Sequence, residues 1–245
     1  MNKQPNIAML IDCDNVSAKY IDSILDDLSQ HGLVNIKNAY GNWKDPKLKG
    51  WEKILQDYSI TPIQQFSYTN GKNATDIAMV IDTMDLLYMK DLSGIALVTS
   101  DSDFTPVVTR IKSNGIRVYG YGEDKTPSAF VNACSQFIYV EKLLDCDEED
   151  GDDEVTNKPQ IADRGELRKN TKLVALLRKA VELTAEDNGW SNIANVGIYI
   201  SQNSSFSPVN YGYKKLGELI RTTELFDIDM QGDRNTIMLI KDNRK

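Results

Sequence analysis

Residues 7–15, Ile7-Ala8-Met9-Leu10-Ile11-Asp12-Cys13-Asp14-Asn15, decide the fold. The five apolar residues read as a short strand, and an acidic cluster begins where that strand ends. Ile21–Leu28 follows with helical spacing, so the chain opens as strand then helix. The same alternation continues with strands at Asn35–Tyr40, Thr61–Gln65, Ile95–Thr99, Arg117–Tyr121 and Phe137–Val140. Helices are expected at Trp51–Tyr58, Asp76–Tyr88 and Phe104–Ser113. Apolar residues at Ile77, Met79, Val80, Ile81, Met84 and Leu87 suit a largely buried Asp76–Tyr88 helix. Strands alternating with helices predict an α/β domain whose mainly parallel sheet is covered by helices on both faces. The active site of such a sheet lies at the carboxyl ends of its strands.

Composition narrows the function classes. The 245 residues suffice for one large domain or two modest ones, and a net charge of −8 argues against a simple basic nucleic-acid coat. Asp145–Glu154 holds eight acids in ten residues and reads as disordered. It divides the chain into a domain at 1–144, an acidic linker at 145–167 and a second module at 168–245. Cys13, Cys134 and Cys146 have no Cys-x-x-Cys spacing, so neither a disulfide framework nor a zinc knuckle is expected. No apolar run reaches the roughly 18 residues that cross a bilayer. A cytoplasmic protein with no membrane partner is the expectation. The single histidine, His31, excludes Ser-His-Asp catalysis and His-rich zinc sites. It reads as a surface residue capping a helix end.

Three acid clusters fall at strand ends or helix starts. Asp12-Cys13-Asp14-Asn15 ends the first strand, Ser100-Asp101-Ser102-Asp103 follows the Ile95–Thr99 strand, and Asp76 opens a helix after Lys72-Asn73-Ala74-Thr75. Carboxylates massed without basic partners repel one another unless a hard divalent cation binds. In that scheme Asp12 and Asp101 hold Mg²⁺ or Mn²⁺, while Asp76 and Asp103 complete the shell or orient the attacking water. Asn15 and Ser100 support these groups or contact substrate, and Lys72 reaches the scissile phosphate. No histidine is required. The competing reading is capping, since Asp76 and Asp103 both precede helical runs.

Ile7–Asn15, Lys72-x-x-x-Asp76 with Asp82 in the following helix, Thr99-Ser100-Asp101-Ser102-Asp103-Phe104, Gly120-Tyr121-Gly122 and Phe137-Ile138-Tyr139 together resemble the NYN domain of the PIN-like nuclease superfamily. The resemblance covers about residues 5–144. It implies a metal-dependent ribonuclease with Asp12, Asp76, Asp101 and Asp103 as the acidic site and Asn15 beside it. Asp82, six residues into its helix, is expected to be supporting or structural. Asp12-Cys13-Asp14-Asn15-Val16 also fits the Asp-x-Asp-x-Thr/Val signature of haloacid-dehalogenase-like phosphatases. There Asp12 would be a nucleophile, Asp14 a general acid, and Thr99 or Ser100 the phosphate-binding hydroxyl. That pattern further needs a lysine and a separate acidic pair, for which Glu123-Asp124 near Lys112 is a poor substitute.

Tyr40–Trp51 sets three lysines among two tryptophans directly after a strand. Exposed aromatics beside cations suit single-stranded RNA, and Trp43, Lys44 and Lys47 are the candidates. Trp51, with Ile54 and Leu55 at helical spacing, reads as core. In the tail, helices at Thr171–Glu186, Ile193–Ile200 and Tyr213–Thr222 precede a hairpin of Phe226–Met230 and Thr236–Ile240, a winged-helix-like pattern. Gly189-Trp190, Ile193, Val196-Gly197, Phe206, Tyr211-Gly212-Tyr213 and Leu216 resemble the OST-HTH/LOTUS domain over roughly residues 168–243. The resemblance implies binding of RNA, single-stranded or structured, or a protein-docking role. Lys214, Lys215 and Arg221 lie on the expected third helix, where such modules place their contacts. A homo-oligomer or a protein partner held through this module is a further expectation. The leading reading is a metal-dependent ribonuclease, and the alternative is an RNA-binding regulator with a vestigial acidic pocket.

Overall fold

The structure is a computed structural model that describes residues 4–66, 74–89, 91–147, 161–232 and 236–244. It divides into two compact units, Met1–Asp147 and Glu148–Lys245. In the first, β1 (Asn6–Asp12), α1 (Ile21–Ser29), β2 (Leu33–Gly41), α2 (Lys49–Glu52), β3 (Thr61–Gln64) and α3 (Ala74–Met89) are followed by β4 (Gly94–Val98), α4 (Thr105–Ser113), β5 (Arg117–Gly122), α5 (Ser128–Ala133), β6 (Gln136–Tyr139) and α6 (Val140–Asp147). The six strands lie in the order β3-β2-β1-β4-β5-β6, every neighbouring pair parallel. From β1 the chain winds outward in one direction, and from β4 in the other. The gap between β1 and β4 is therefore the switch point, where such sheets leave a crevice at the carboxyl ends.

The apolar runs fit this placement. Ile7–Ile11 and Ile95–Val98 are almost wholly buried, as central parallel strands covered on both faces require. Ala8, Leu10, Ile95 and Leu97 pack with Met79 and Leu87 of α3, Val107, Val108 and Ile111 of α4, and Phe130 of α5. Winding in the opposite direction with crossovers of the same hand sends α1 to the other face, where it packs on α6. Tyr121 of β5 reaches that side, its hydroxyl donating to Asp27 Oδ2 at 2.7 Å.

Several expectations are corrected. The Trp51–Tyr58 helix stops at Glu52 and continues as turns, with Ser59 at a φ of 52° and Ile60 bonding back to Leu55 O. The turn returns the buried Ile60 to the core just before β3. The α3 helix is not largely buried, because Ile77, Ile81 and Tyr88 are 60, 55 and 63% exposed along one stripe. His31 is half-buried and stacks on Tyr119 at 4.7 Å between ring centroids, with burial pushing its pKa down.

The second unit comprises α7 (Arg164–Lys169), α8 (Thr171–Thr184), β7 (Ser191–Asn192), α9 (Ile193–Asn203), α10 (Leu216–Thr223), β8 (Phe226–Gln231) and β9 (Ile237–Asp242). Its strands form an antiparallel sheet in the order β7-β9-β8. Leu167, Leu177, Val196, Leu219, Ile220 and Ile240 meet in its core. The stretch expected as linker, 145–167, is helical at both ends. The α6 helix runs on to Asp147, and α7 starts at Arg164 behind an Asp163/Glu166 capping box. Residues 148–160 lie outside the described residues.

Candidate active site at the β1/β4 switch

Asp12 closes β1 and is 1% exposed. Its Oδ2 accepts from Asn15 Nδ2 at 2.7 Å and, across the switch, from Thr99 Oγ1 at 2.8 Å. Its Oδ1 accepts from the Asp14 amide at 3.2 Å. Thr99 Oγ1 in turn accepts from the Asp101 amide at 3.1 Å, so one hydroxyl ties the end of β1 to the loop after β4. Gly122 makes this loop possible, because a Cβ there would sit 2.7 Å from Thr99 O. Ser100 is buried, and its Oγ accepts from the Glu123 amide at 2.9 Å, joining the loop after β5 to the same end of the sheet.

The electrostatics show which acids converge. Burial is the main cause raising the pKa of Asp12, opposed by the bonds from Asn15 and Thr99 and reinforced by Asp14. Asp14 is raised chiefly by desolvation and lowered by a hydrogen bond with Thr75, which places the end of β1 beside the start of α3. Asp76, in the first turn of α3, is pushed up to about 6 by burial and then by the charges of Asp12, Asp101, Asp14 and Asp103. The predicted acids Asp12, Asp76, Asp101 and Asp103 therefore share one region, and Asp14 joins them. Capping also operates: Asp101 Oδ1 accepts from the Asp103 amide at 2.8 Å at the start of the Ser102–Phe104 turn. Asp82 is drawn elsewhere, its Oδ2 taking the Tyr40 hydroxyl at 2.8 Å. Lys72 lies outside the described residues.

Among the described residues the four aspartates do not form a caging shell. Among the described residues no three His, Cys, Asp or Glu side chains are grouped closely enough to hold a metal ion by themselves. The donor set fits a different mode, since Mg²⁺ keeps several waters and is bound by one or two carboxylates.

Residues 6–144 match the NYN domain family and residues 168–238 the OST-HTH/LOTUS domain, in that order. The chain belongs to the NYN family. NYN domains are PIN-like nucleases, a class that generally uses divalent metals, and OST-HTH/LOTUS domains bind RNA. The chain is also 28% identical over 159 residues to an uncharacterized protein of Methanocaldococcus jannaschii, covering 62% of each. It thus spans less than two thirds of that relative. A crystal structure of a protein of unknown function from Vibrio parahaemolyticus is 20% identical with a TM-score of 0.49, covering 57% of this chain and 94% of that one.

The geometry of the NYN domain opposes the phosphatase alternative. Thr99 spends its hydroxyl on positioning Asp12, so it does not present the phosphate-binding hydroxyl of that chemistry.

The aromatic-basic segment differs from expectation in one residue. Trp43 is half-buried, its amide donating to Gln64 Oε1 at 3.0 Å and its indole N–H buried without a partner among the described residues. An exposed aromatic beside this segment is Phe66, 47% exposed, with the Lys44 ammonium 4.9 Å above its ring. An aromatic just past a strand end was the signal for it. Lys47 is exposed on the Pro46–Leu48 turn. In the OST-HTH/LOTUS domain, Lys214 and Lys215 are not on the third helix. Gly212, at a φ of 82°, ends a turn before them, and Lys215 is the extended N-cap of α10, leaving Arg221 in its last turn. Among the described residues no helix is long and apolar enough to cross a membrane.

Proposed function

We propose that the chain is a divalent-metal-dependent ribonuclease, in which the NYN domain hydrolyses an RNA phosphodiester and the OST-HTH/LOTUS domain recruits the RNA. The carrying observation is the gathering of acids at the β1/β4 switch, where burial first, and then the charges of four other aspartates, raise Asp76 to about 6. A bound cation relieves such repulsion at neutral pH. Mg²⁺ or Mn²⁺, when bound, supplies polarisation of a phosphoryl oxygen and a more acidic water. Asp12 and Asp101 are the residues to hold it. Asn15 and Thr99 fix the Asp12 carboxylate, and Asp101 gives one oxygen to the Asp103 amide and keeps the other for the ion. Asp76 and Asp103 orient the attacking water, while Ser100 steadies the loop between them and β5. Lys72 contacts the phosphate, and Asp82 braces Tyr40.

Single-stranded RNA suits the NYN domain, since Lys44 over Phe66 combines a stacking face with a phosphate contact, and Trp43 and Lys47 flank it. Lys214, Lys215 and Arg221 are the contacts of the second domain. A cytoplasmic location belongs to this reading, supported by the free, buried thiols of Cys13 and Cys134. Self-association, or a protein partner on the second domain, is left to sedimentation of the chain alone.

Incubation with single-stranded and folded RNAs and either metal tests the reading. Cleavage is expected, with loss in Asp12→Asn and Asp101→Asn variants that keep their circular dichroism. RNA bound equally with and without EDTA, and never cut, would make the chain a regulator with a vestigial pocket.

A further inference from the structure

Beside the acidic group lies a cavity of about 340 Å³ that the site as described does not use. One wall is Asp14 and Asn15 at the end of β1, the second is Lys47, Gly50 and Trp51 around α2, and the third is Glu123 and Lys125 after β5. Asp76, Asp101 and Asp103 do not line it, so the cavity adjoins the acids rather than coinciding with them.

Its chemistry is divided. The back is apolar and rigid: Trp51 is 3% exposed, and its indole N–H is fixed on Val16 O at 3.1 Å. The mouth is basic. Lys125 is paired with Glu123 at 2.7 Å yet its side chain is 67% exposed, and Lys47 lies near enough to Asp14 to lower its pKa. Asn15 gives its Nδ2 to Asp12, and its amide oxygen, which accepts from no donor among the described residues, can face a donor on a ligand. An apolar back, one or two directing polar groups and ammonium groups at the rim match a base, its ribose and the phosphates on either side. The volume sits at the low end of the about 300–1,000 Å³ of ligand sites. That admits one nucleotide and no duplex.

We propose that this cavity receives one unpaired ribonucleotide of the RNA strand, the one adjoining the phosphodiester held at the β1/β4 acids. The inference rests on the nuclease reading. It adds that the nucleotide on one side of the cut must leave any helix and enter the cavity, with Lys47 and Lys125 on its phosphates. Paired RNA is then a poor substrate at that position, whichever metal is supplied.

Gly50 offers the test, because a Cβ there meets only Ala18 Cβ, at 3.9 Å, and a larger side chain grows into the cavity without backbone conflict. The full chain and its Gly50→Leu variant are compared for binding of a fluorescent single-stranded oligoribonucleotide in EDTA, and for kcat and KM with metal. Gly50→Leu is expected to weaken binding about tenfold, the scale of losing one base contact, and to raise KM more than it lowers kcat. Lys125→Ala gives a second readout that leaves the core intact, with the salt slope of binding falling by about 1. A free nucleoside monophosphate at millimolar concentration, added as competitor, separates a strand nucleotide from a soluble ligand. Competition weaker than that of a trinucleotide supports the strand, whereas tight binding of the mononucleotide with no effect of Gly50→Leu on the oligonucleotide overturns it. A Gly50→Leu chain with unchanged melting temperature that binds and cuts as the wild type also overturns the proposal while leaving the nuclease intact. If the wild type cuts nothing, the nuclease reading fails by itself, and the binding arm still decides the cavity.

Discussion

Asp12 and Asp242 are both strand-end aspartates, 1 and 8% exposed, and their surroundings are opposite. Asp242 at the end of β9 takes Arg244 on both oxygens, at 3.2 and 2.9 Å, and has the Arg178 guanidinium 3.6 Å away. The Arg244 hydrogen bond is the main cause holding its pKa below the ordinary value. Among the described residues, Asp12 at the end of β1 takes only neutral donors, an amide side chain, a hydroxyl and a backbone N–H. Burial pushes its pKa up, and Asp14 pushes it further. A buried carboxylate answered by guanidinium is complete within the fold. One answered by dipoles and faced by other acids is set up for a cation from outside.

That contrast breaks most visibly in the chemistry. Asp12→Asn is expected to cost about 10²- to 10⁴-fold in RNA cleavage, the scale of a lost catalytic group, while leaving the fold at least as stable. A variant that unfolds instead would make Asp12 another Asp242. For Asp242→Asn the opposite is expected, a loss of about 2 kcal/mol from the second unit, because Arg178 Nε is buried and has no hydrogen bond of its own among the described residues. Urea unfolding followed by circular dichroism measures it. Since the pKa of Asp242 is lowered by folding, its contribution is full above about 3.9 and fades as pH falls below that, so wild type and variant should converge in acid. A smaller effect of reversed sign is expected at Asp76. Its pKa is raised to about 6, so the metal-free wild type loses stability as pH rises from about 4 through 6. Asp76→Asn should therefore stabilise the metal-free chain by about 1 kcal/mol at pH 7, after allowance for solvent screening of a half-exposed group. Thermal melts in EDTA at pH 4.5 and 7 read the difference, and an equal midpoint shift at both would show that charge repulsion is not its cause.

The sequence carried the strands and the position of the acids because both are local signals. A run such as Ile7–Ile11 specifies a buried strand, and the acid that ends it must fall at the sheet's carboxyl edge. The roles of Thr99 and Asp14 were not legible in the same way, since Thr99 meets Asp12 only through the β1/β4 pairing, 87 residues apart. The α3 helix misled because it is apolar on nearly every side, so no polar face announced the exposed Ile77, Ile81 and Tyr88. The capping box at Asp163 and Glu166 was present in the residues, yet it fell within a stretch dominated by acidic composition. Lys214 and Lys215 were placed on a helix because Tyr213 and Leu216 share its spacing, whereas Gly212 and the extended Lys215 delay the start of α10.

Mn²⁺ titrated into the RNA-free chain and followed by electron paramagnetic resonance addresses the cation directly. Saturable binding by the wild type, weakened at least about tenfold in both Asp12→Asn and Asp101→Asn, is the expected result. Equal Mn²⁺ binding by all three chains, or none by the wild type, would contradict the account.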